Sequence, residues 1–124
     1  MSKPDRQVRW FAAQALGEIG APSAVEALTK ALNDQNSIVR RNAAEALGKI
    51  GDPSVTDSLI KSLHDPYSRV RYKAAEALGR LGSVTALPEL QLLEQNDAEV
   101  TPQGEIVKDA AAKAIAQITS KATK

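Results

Sequence analysis

With 124 residues the chain holds one domain at most and can bury a modest core. It contains no cysteine, which removes disulfides, zinc–thiolate sites and thiol nucleophiles together and fits a reducing cytoplasm. A formal net charge of +1 argues against a dedicated nucleic-acid binder, unless the charges are strongly segregated. The opening MSKPDRQVRW lacks the apolar run of a signal peptide, and no stretch of about 18 apolar residues is present to span a bilayer. The expectation is a cytoplasmic protein without membrane contact. Aromatic residues are Trp10, Phe11, Tyr67 and Tyr72 alone, so alanine and leucine must fill the core, which suits closely packed helices better than a β-sandwich.

In chain order, VRWFAAQALGEIGAPS (8–23) recurs as VRRNAAEALGKIGDPS (39–54) and again as VRYKAAEALGRLGSVT (70–85), each offset by 31 residues. A weaker fourth copy, VKDAAAKAIAQITSKA (107–122), is displaced by 37, so six extra residues precede it. The glycine pairs Gly17/Gly20, Gly48/Gly51 and Gly79/Gly82 recur in register. A phosphate-cradling loop follows a strand and normally occurs once; these pairs follow helices and repeat, so they punctuate the chain. The second glycine suits a left-handed helix C-terminus, and the first suits close approach of a neighbouring helix.

The apolar stripe Val39, Ala43, Leu47 and Ile50 falls on one helical face, and the other copies repeat it. This periodicity predicts ridge helices over about 6–19, 37–50, 68–81 and 105–120. Outer helices are predicted between them over about 23–33, 54–64 and 85–94, with Ser23, Ser54 and Thr85 as N-caps. The whole chain, 1–124, then reads as a single all-α domain. It is a short right-handed α-solenoid of about three and a half helix pairs, each too small to bury its own stripe alone.

The pattern VRxxAAxALGxIGDP resembles the HEAT-like repeat of the E/F-type phycobilin lyases and their relatives, and the resemblance covers nearly the whole chain. The stretch LLEQNDAEVTPQGEIVKDAAAKAIAQI also looks like the closing helix of cyanobacterial members. The fourth unit departs from the pattern at Lys108, Ala116 and Thr119, as a terminal cap does. The resemblance implies a subunit that helps attach, detach or chaperone a linear tetrapyrrole on a biliprotein, whose acceptor protein supplies the thioether cysteine. Lyase subunits of this family are typically much longer, which leaves a fragment, one half of a pair, or a relative with another task.

In such a stack the variable positions of VRxxAAxALG point outward along the ridge. The rows read Trp10, Arg41, Tyr72, Asp109, then Phe11, Asn42, Lys73, Ala110, then Gln14, Glu45, Glu76, Lys113, and last Glu18, Lys49, Arg80, Gln117. An arginine between two aromatics invites a cation–π stack, and exposed Trp, Tyr and Arg dominate interface hot spots. The row is therefore either the centre of a partner-binding surface or a self-satisfied end cap, with self-association through the open N-terminal helix within the second reading. The recurring basic residue (Arg9, Arg40, Arg71, Lys108) is expected to pair with loop acids such as Asp34 and Asp65. Discounting it leaves the ridge too weakly basic for a DNA backbone, which sets aside the alkylpurine DNA glycosylases that resemble this architecture.

No catalytic or metal-binding constellation is legible. His64, the single histidine, ends an outer helix without a nucleophile or second ligand nearby in sequence. Glu45 and Glu76 sit among Lys49, Lys73 and Arg80, as a salt-bridged ridge rather than an acid–base pair. The loop NDAEVTPQG (96–104) lacks calcium-loop spacing, and its extra length suggests a contact surface. The sequence thus predicts a non-catalytic protein-binding scaffold without a cofactor, its partner another protein such as a phycobiliprotein. The alternative is a lyase-like subunit that takes a linear bilin, with Arg41, Arg80 or Lys73 meeting propionates and Trp10 or Tyr72 stacking on a pyrrole.

Overall fold

The structure, a computed structural model, describes residues 24–122. They form six α-helices: α1 (Val25–Ala31), α2 (Ser37–Ile50), α3 (Thr56–Ser62), α4 (Ser68–Leu81), α5 (Leu87–Asn96) and α6 (Val107–Ala122). Short 3-10 turns at Pro53–Val55 and Val84–Ala86 lead into α3 and α5. The long helices α2, α4 and α6 stack side by side as one layer. Each takes the preceding short helix on its back, α1 on α2, α3 on α4 and α5 on α6, while the short helices scarcely touch one another. This is an all-α solenoid.

The stacking follows from the repeated stripe. Val39, Ala43 and Leu47 on α2, Val70, Ala74 and Leu78 on α4, and Val107, Ala111 and Ile118 on α6 are buried. Leu28, Leu32, Leu59, Leu63 and Leu90 come in from the outer layer to meet them. Each such leucine contributes about 1.5–3 kcal/mol of burial, so the leucines carry the stability while the alanines set the spacing. Gly48 shows how tight that spacing is: a Cβ there would lie 2.9 Å from both Cα and Cβ of Ala77 on α4. Gly79 stands against Ala114 of α6 in the same way, a Cβ there lying 2.9 Å from the Ala114 Cα. The second glycine of each pair ends its helix in the left-handed region, Gly51 at φ 77° and Gly82 at φ 69°.

The outer-helix starts differ from the sequence expectation. Asp52, not Ser54, caps the second outer segment, its carboxylate accepting from the Ser54 N–H at 2.9 Å. Ser83 rather than Thr85 takes the cap position of the third, and Thr85 is exposed. The 3-10 turn sets each start earlier than helical periodicity alone locates it. Ser23 lies outside the described residues. The last long helix begins at Val107, because the chain before it is engaged elsewhere. Val100 bridges Ile106, the Thr101 N–H bonds the Glu105 carbonyl at 2.7 Å, and the Val107 N–H bonds the Glu99 carbonyl at 3.0 Å.

Two arginines tie successive units together. Arg40 grips Asp65 of the next loop through Nε (2.7 Å) and Nη2 (3.2 Å), while its Nη1 donates to the carbonyls of Asp34 (2.7 Å) and Gln35 (3.0 Å) in its own loop. Arg71 repeats the pattern one unit on, holding Asp97 through Nε at 2.6 Å and the Asp65 carbonyl through Nη1 at 2.8 Å, and it also pairs with Glu99. Burial pulls the Arg71 guanidinium down, but its bonds to Asp97 and Glu99 outweigh that and leave it raised. The expected pairing of Arg40 with Asp65 is present, whereas Lys108 stands exposed on α6 where the ladder ends.

Candidate functional site

The ridge residues divide into three groups. Trp10, Phe11, Gln14 and Glu18 lie outside the described residues. Glu45, Tyr72, Lys73 and Glu76 form one cluster across α2 and α4. The Lys73 ammonium lies 3.2 Å from Glu76 and 3.9 Å from Glu45, and 5.9 Å from the centre of the Tyr72 ring. This lysine stands between the two carboxylates in a partly exposed site, so the pair is a salt-bridged strut. The Tyr72 phenol is raised, first by burial and then by Glu76, Glu105 and Asp109, against the pull of Arg69. Lys49 and Arg80, one turn further along, are exposed. The Arg80 carbonyl accepts from the Lys121 ammonium at 2.6 Å, which fixes α6 against the C-terminal end of α4.

Two ridge expectations fail. Asn42 does not point outward: it is 9% exposed, and its Nδ2 is buried without a hydrogen-bond partner. Ala110, at the end of the same row, is buried as well, while Lys73 between them is half-buried. Arg41 makes no cation–π contact with Tyr72 among the described residues; that ring takes Lys73 from its own helix, and Arg40 lies 5.5 Å from the Tyr67 ring. His64 is exposed, with Nε2 3.2 Å from Glu89 on the next outer helix, a surface pair.

Arg41 belongs to a different feature. A groove of about 520 Å³ runs between the N-terminal ends of α2 and α4 and the loop at 99–103. Ile38, Arg41, Tyr67, Arg69 and Val100 are among its lining residues. Ile38, Tyr67 and Val100 are 42%, 57% and 56% exposed, three of the large apolar side chains most open to solvent. The Arg41 guanidinium is lowered by burial and then by the like charge of Arg69, with Glu45 and Glu105 opposing. Arg69 Nη1 comes within 3.4 Å of Glu105, an ion pair outside hydrogen-bond geometry, since neither Nη1 nor Nε of Arg69 has a hydrogen-bond partner. Sequence reasoning missed Ile38 and Arg69. Both stand just before the valine that opens the repeat motif, outside the rows it compared. The extra loop residues were legible only as added length, and they supply one wall here.

The comparisons with known proteins follow the same lines. The family model for HEAT repeats matches residues 1–72, and that for the PBS lyase HEAT-like repeat matches residues 70–96. The chain belongs to the HEAT-repeat family. Among solved structures, a chain in the complex of CpcE and CpcF of phycocyanin lyase from Nostoc sp. PCC7120 superposes with a TM-score of 0.82 at 33% identity. The match covers 98% of this HEAT-repeat chain and 52% of that one. Human deoxyhypusine hydroxylase, solved in complex with glycerol, superposes with a TM-score of 0.76 at 24% identity, covering 98% of this chain and 41% of that one, a likeness of fold alone. The HEAT-repeat chain thus spans about half the length of the solved proteins it matches. Comparison with curated proteins finds no match. Among the described residues no helix is long and apolar enough to cross a membrane, and no three His, Asp or Glu side chains gather as metal ligands.

Proposed function

We propose that this HEAT-repeat segment is a non-catalytic scaffold that holds a protein partner along its long-helix layer. The contact residues are Trp10, Phe11, Gln14 and Glu18 of the first unit, Arg41, Glu45 and Lys49 of the second, and Tyr72, Lys73, Glu76 and Arg80 of the third. The observation that carries this reading is the likeness, over 98% of the chain, to a solenoid solved in a complex with a second protein. Solenoids bind along extended surfaces because stacking itself creates them. Asn42, being buried, takes no part.

A second reading makes the chain part of a lyase-like subunit that handles a linear tetrapyrrole on a biliprotein. It is favoured by the match of residues 70–96 to the PBS lyase HEAT-like repeat. Tyr72, Lys73 and Arg80 all lie within that matched unit.

The test is a calorimetric titration of a captured partner protein against wild type and the Trp10→Ala/Tyr72→Ala double variant. The scaffold reading predicts a loss of about 2 kcal/mol, roughly thirtyfold in affinity, with helicity unchanged. Equal affinity for the two proteins would remove the ridge as the binding surface. A parallel titration with a free linear bilin, followed by Trp10 emission, separates the readings. Saturable quenching that weakens in Tyr72→Ala favours the lyase-like subunit.

A further inference from the structure

The 97–106 loop leaves a backbone edge open beside the groove. Its two arms pair through the Thr101 N–H to the Glu105 carbonyl and the Val107 N–H to the Glu99 carbonyl. Val100 and Ile106 are then the facing residues that do not bond each other, so their own N–H and carbonyl groups point apart. The Ile106 carbonyl is taken up by the Asp109 and Ala110 N–H groups as α6 begins. Neither the N–H nor the carbonyl of Val100 makes a hydrogen bond among the described residues. The start of α4 adds further open donors. Asn36 caps α2 by accepting from the Ile38 and Val39 N–H groups, but its counterpart on α4 is Tyr67, whose side chain caps nothing. The N–H groups of Ser68 and Arg69, both groove-lining residues, are left without partners among the described residues.

The charges around these groups cancel: Arg41 and Arg69 stand among Glu45 and Glu105, and Arg71 holds Glu99. An anion finds no surplus to neutralise, whereas a peptide carbonyl satisfies an N–H without bringing charge. The rim is apolar. Ile38, Tyr67 and Val100 are three of the five large apolar side chains exposed among the described residues, and all three line this groove. We propose that the groove binds an extended, uncharged segment of a partner protein, which adds to the 99–101 arm as a short strand. One residue of that segment exchanges both backbone hydrogen bonds with Val100, as a bonded antiparallel pair does. Side chains alternate along a strand, so those on one face of the segment meet Ile38 and Tyr67 and are apolar. The open N–H groups of Ser68 and Arg69 lie in the same groove to take a further carbonyl. The proposal rests on the partner being a protein, and it gives the long-helix layer a second anchor at its N-terminal ends.

The experiment is an amide NMR titration of the full, isotope-labelled chain, following the Val100 N–H signal with those of Ile38 and Tyr67. The probes are acetyl-Thr-Val-Thr-Val-Thr-amide, the same peptide N-methylated at every residue, acetyl-Thr-Glu-Thr-Glu-Thr-amide and hexanol. The expected result is saturable downfield movement of the Val100 signal with the first peptide, and at least about tenfold weaker binding of the N-methylated and glutamate peptides. Val100→Pro, which removes the edge donor, and Ile38→Ser, which removes part of the rim, should each weaken the first peptide about tenfold, read at the Tyr67 signal. No response, equal responses to the plain and N-methylated peptides, or tighter binding of the glutamate peptide would each overturn the proposal. So would an equal response to hexanol, which has no backbone, or a Val100 signal that moves with protein concentration alone, which would make a second copy the occupant. Circular dichroism reports whether the two variants fold; if neither does, the comparison of peptides on the wild-type chain decides. Trp10 and Tyr72 are untouched here. A ridge variant that keeps its partner's affinity removes the ridge surface, whereas a silent Val100 signal removes only the strand-pairing groove.

Discussion

Gly48 stands where α2 and α4 come closest, and two opposed effects meet there. Alanine at this position gains about 1 kcal/mol of helix propensity. Its methyl would press against the backbone of Ala77 at 2.9 Å, and backbone cannot swing aside as a flexible side chain can. Overpacking of this kind costs about 1–3 kcal/mol, so Gly48→Ala should lower the urea midpoint despite its better propensity. Gly51 has open space around it, and its cost on substitution comes from φ 77° alone. Tyr72 gives a second residue-scale test. In a Tyr67→Phe variant it is the one remaining tyrosine, and its absorbance should titrate above the ordinary value of 10.0. The folded state then holds the phenol proton longer than the unfolded chain does. Stability therefore falls as pH rises from the unfolded tyrosine range through the folded one. An absorbance midpoint at or below 10.0 would contradict the burial of this ring. At this scale the sequence was readable for the glycines, whose spacing repeats, and misleading for Asn42. A helical wheel places Asn42 off the stripe, yet the folded chain buries it, and the apolar periodicity carries no sign of that.

Between elements, the arginine ladder does what short outer helices cannot. Those helices scarcely touch one another, so successive units are joined by the long-helix layer and by Arg40 and Arg71 reaching into the next loop. Arg40 and Asp65 keep only 11% and 9% of their side chains exposed, so deleting the arginine strands a nearly buried carboxylate. Arg40→Ala should cost about 3 kcal/mol in chemical denaturation, and Arg40→Lys should recover only part, since an ammonium cannot bond Asp65 twice and still reach two carbonyls. A loss under about 0.5 kcal/mol would mean the ladder is ornamental to stability. The ladder was legible from the recurring basic residue and its loop acids. The cap at Asp52 was not, because a 3-10 turn precedes α3 and shifts the first bonded N–H to Ser54. The 97–106 loop was legible only as extra length. Its order comes from Thr101, a buried residue whose hydroxyl takes the N–H groups of Gln103 (3.3 Å) and Glu105 (3.1 Å), a pattern that no repeat comparison reveals.

For the molecule as a whole, the 31-residue recurrence was sufficient for the solenoid, because a unit that cannot bury its own stripe must stack. The small residues between the long helices let that layer pack closely, as Gly48 does against Ala77 and Gly79 against Ala114. The groove was less legible. The rows compared equivalent positions within the motif, whereas the groove brings together residues from just before it and from an insertion outside the repeat. The HEAT-repeat assignment tells how the surface is made, and the proposed partner contact tells where it is used. Lysine-reactive footprinting of the chain with its captured partner tests that claim most directly. Lys49, exposed on α2, should lose reactivity on binding, while Lys30 and Lys61, exposed on the outer helices α1 and α3, should keep theirs. Protection of Lys30 and Lys61 with Lys49 still reactive would place the partner on the opposite face and contradict the account.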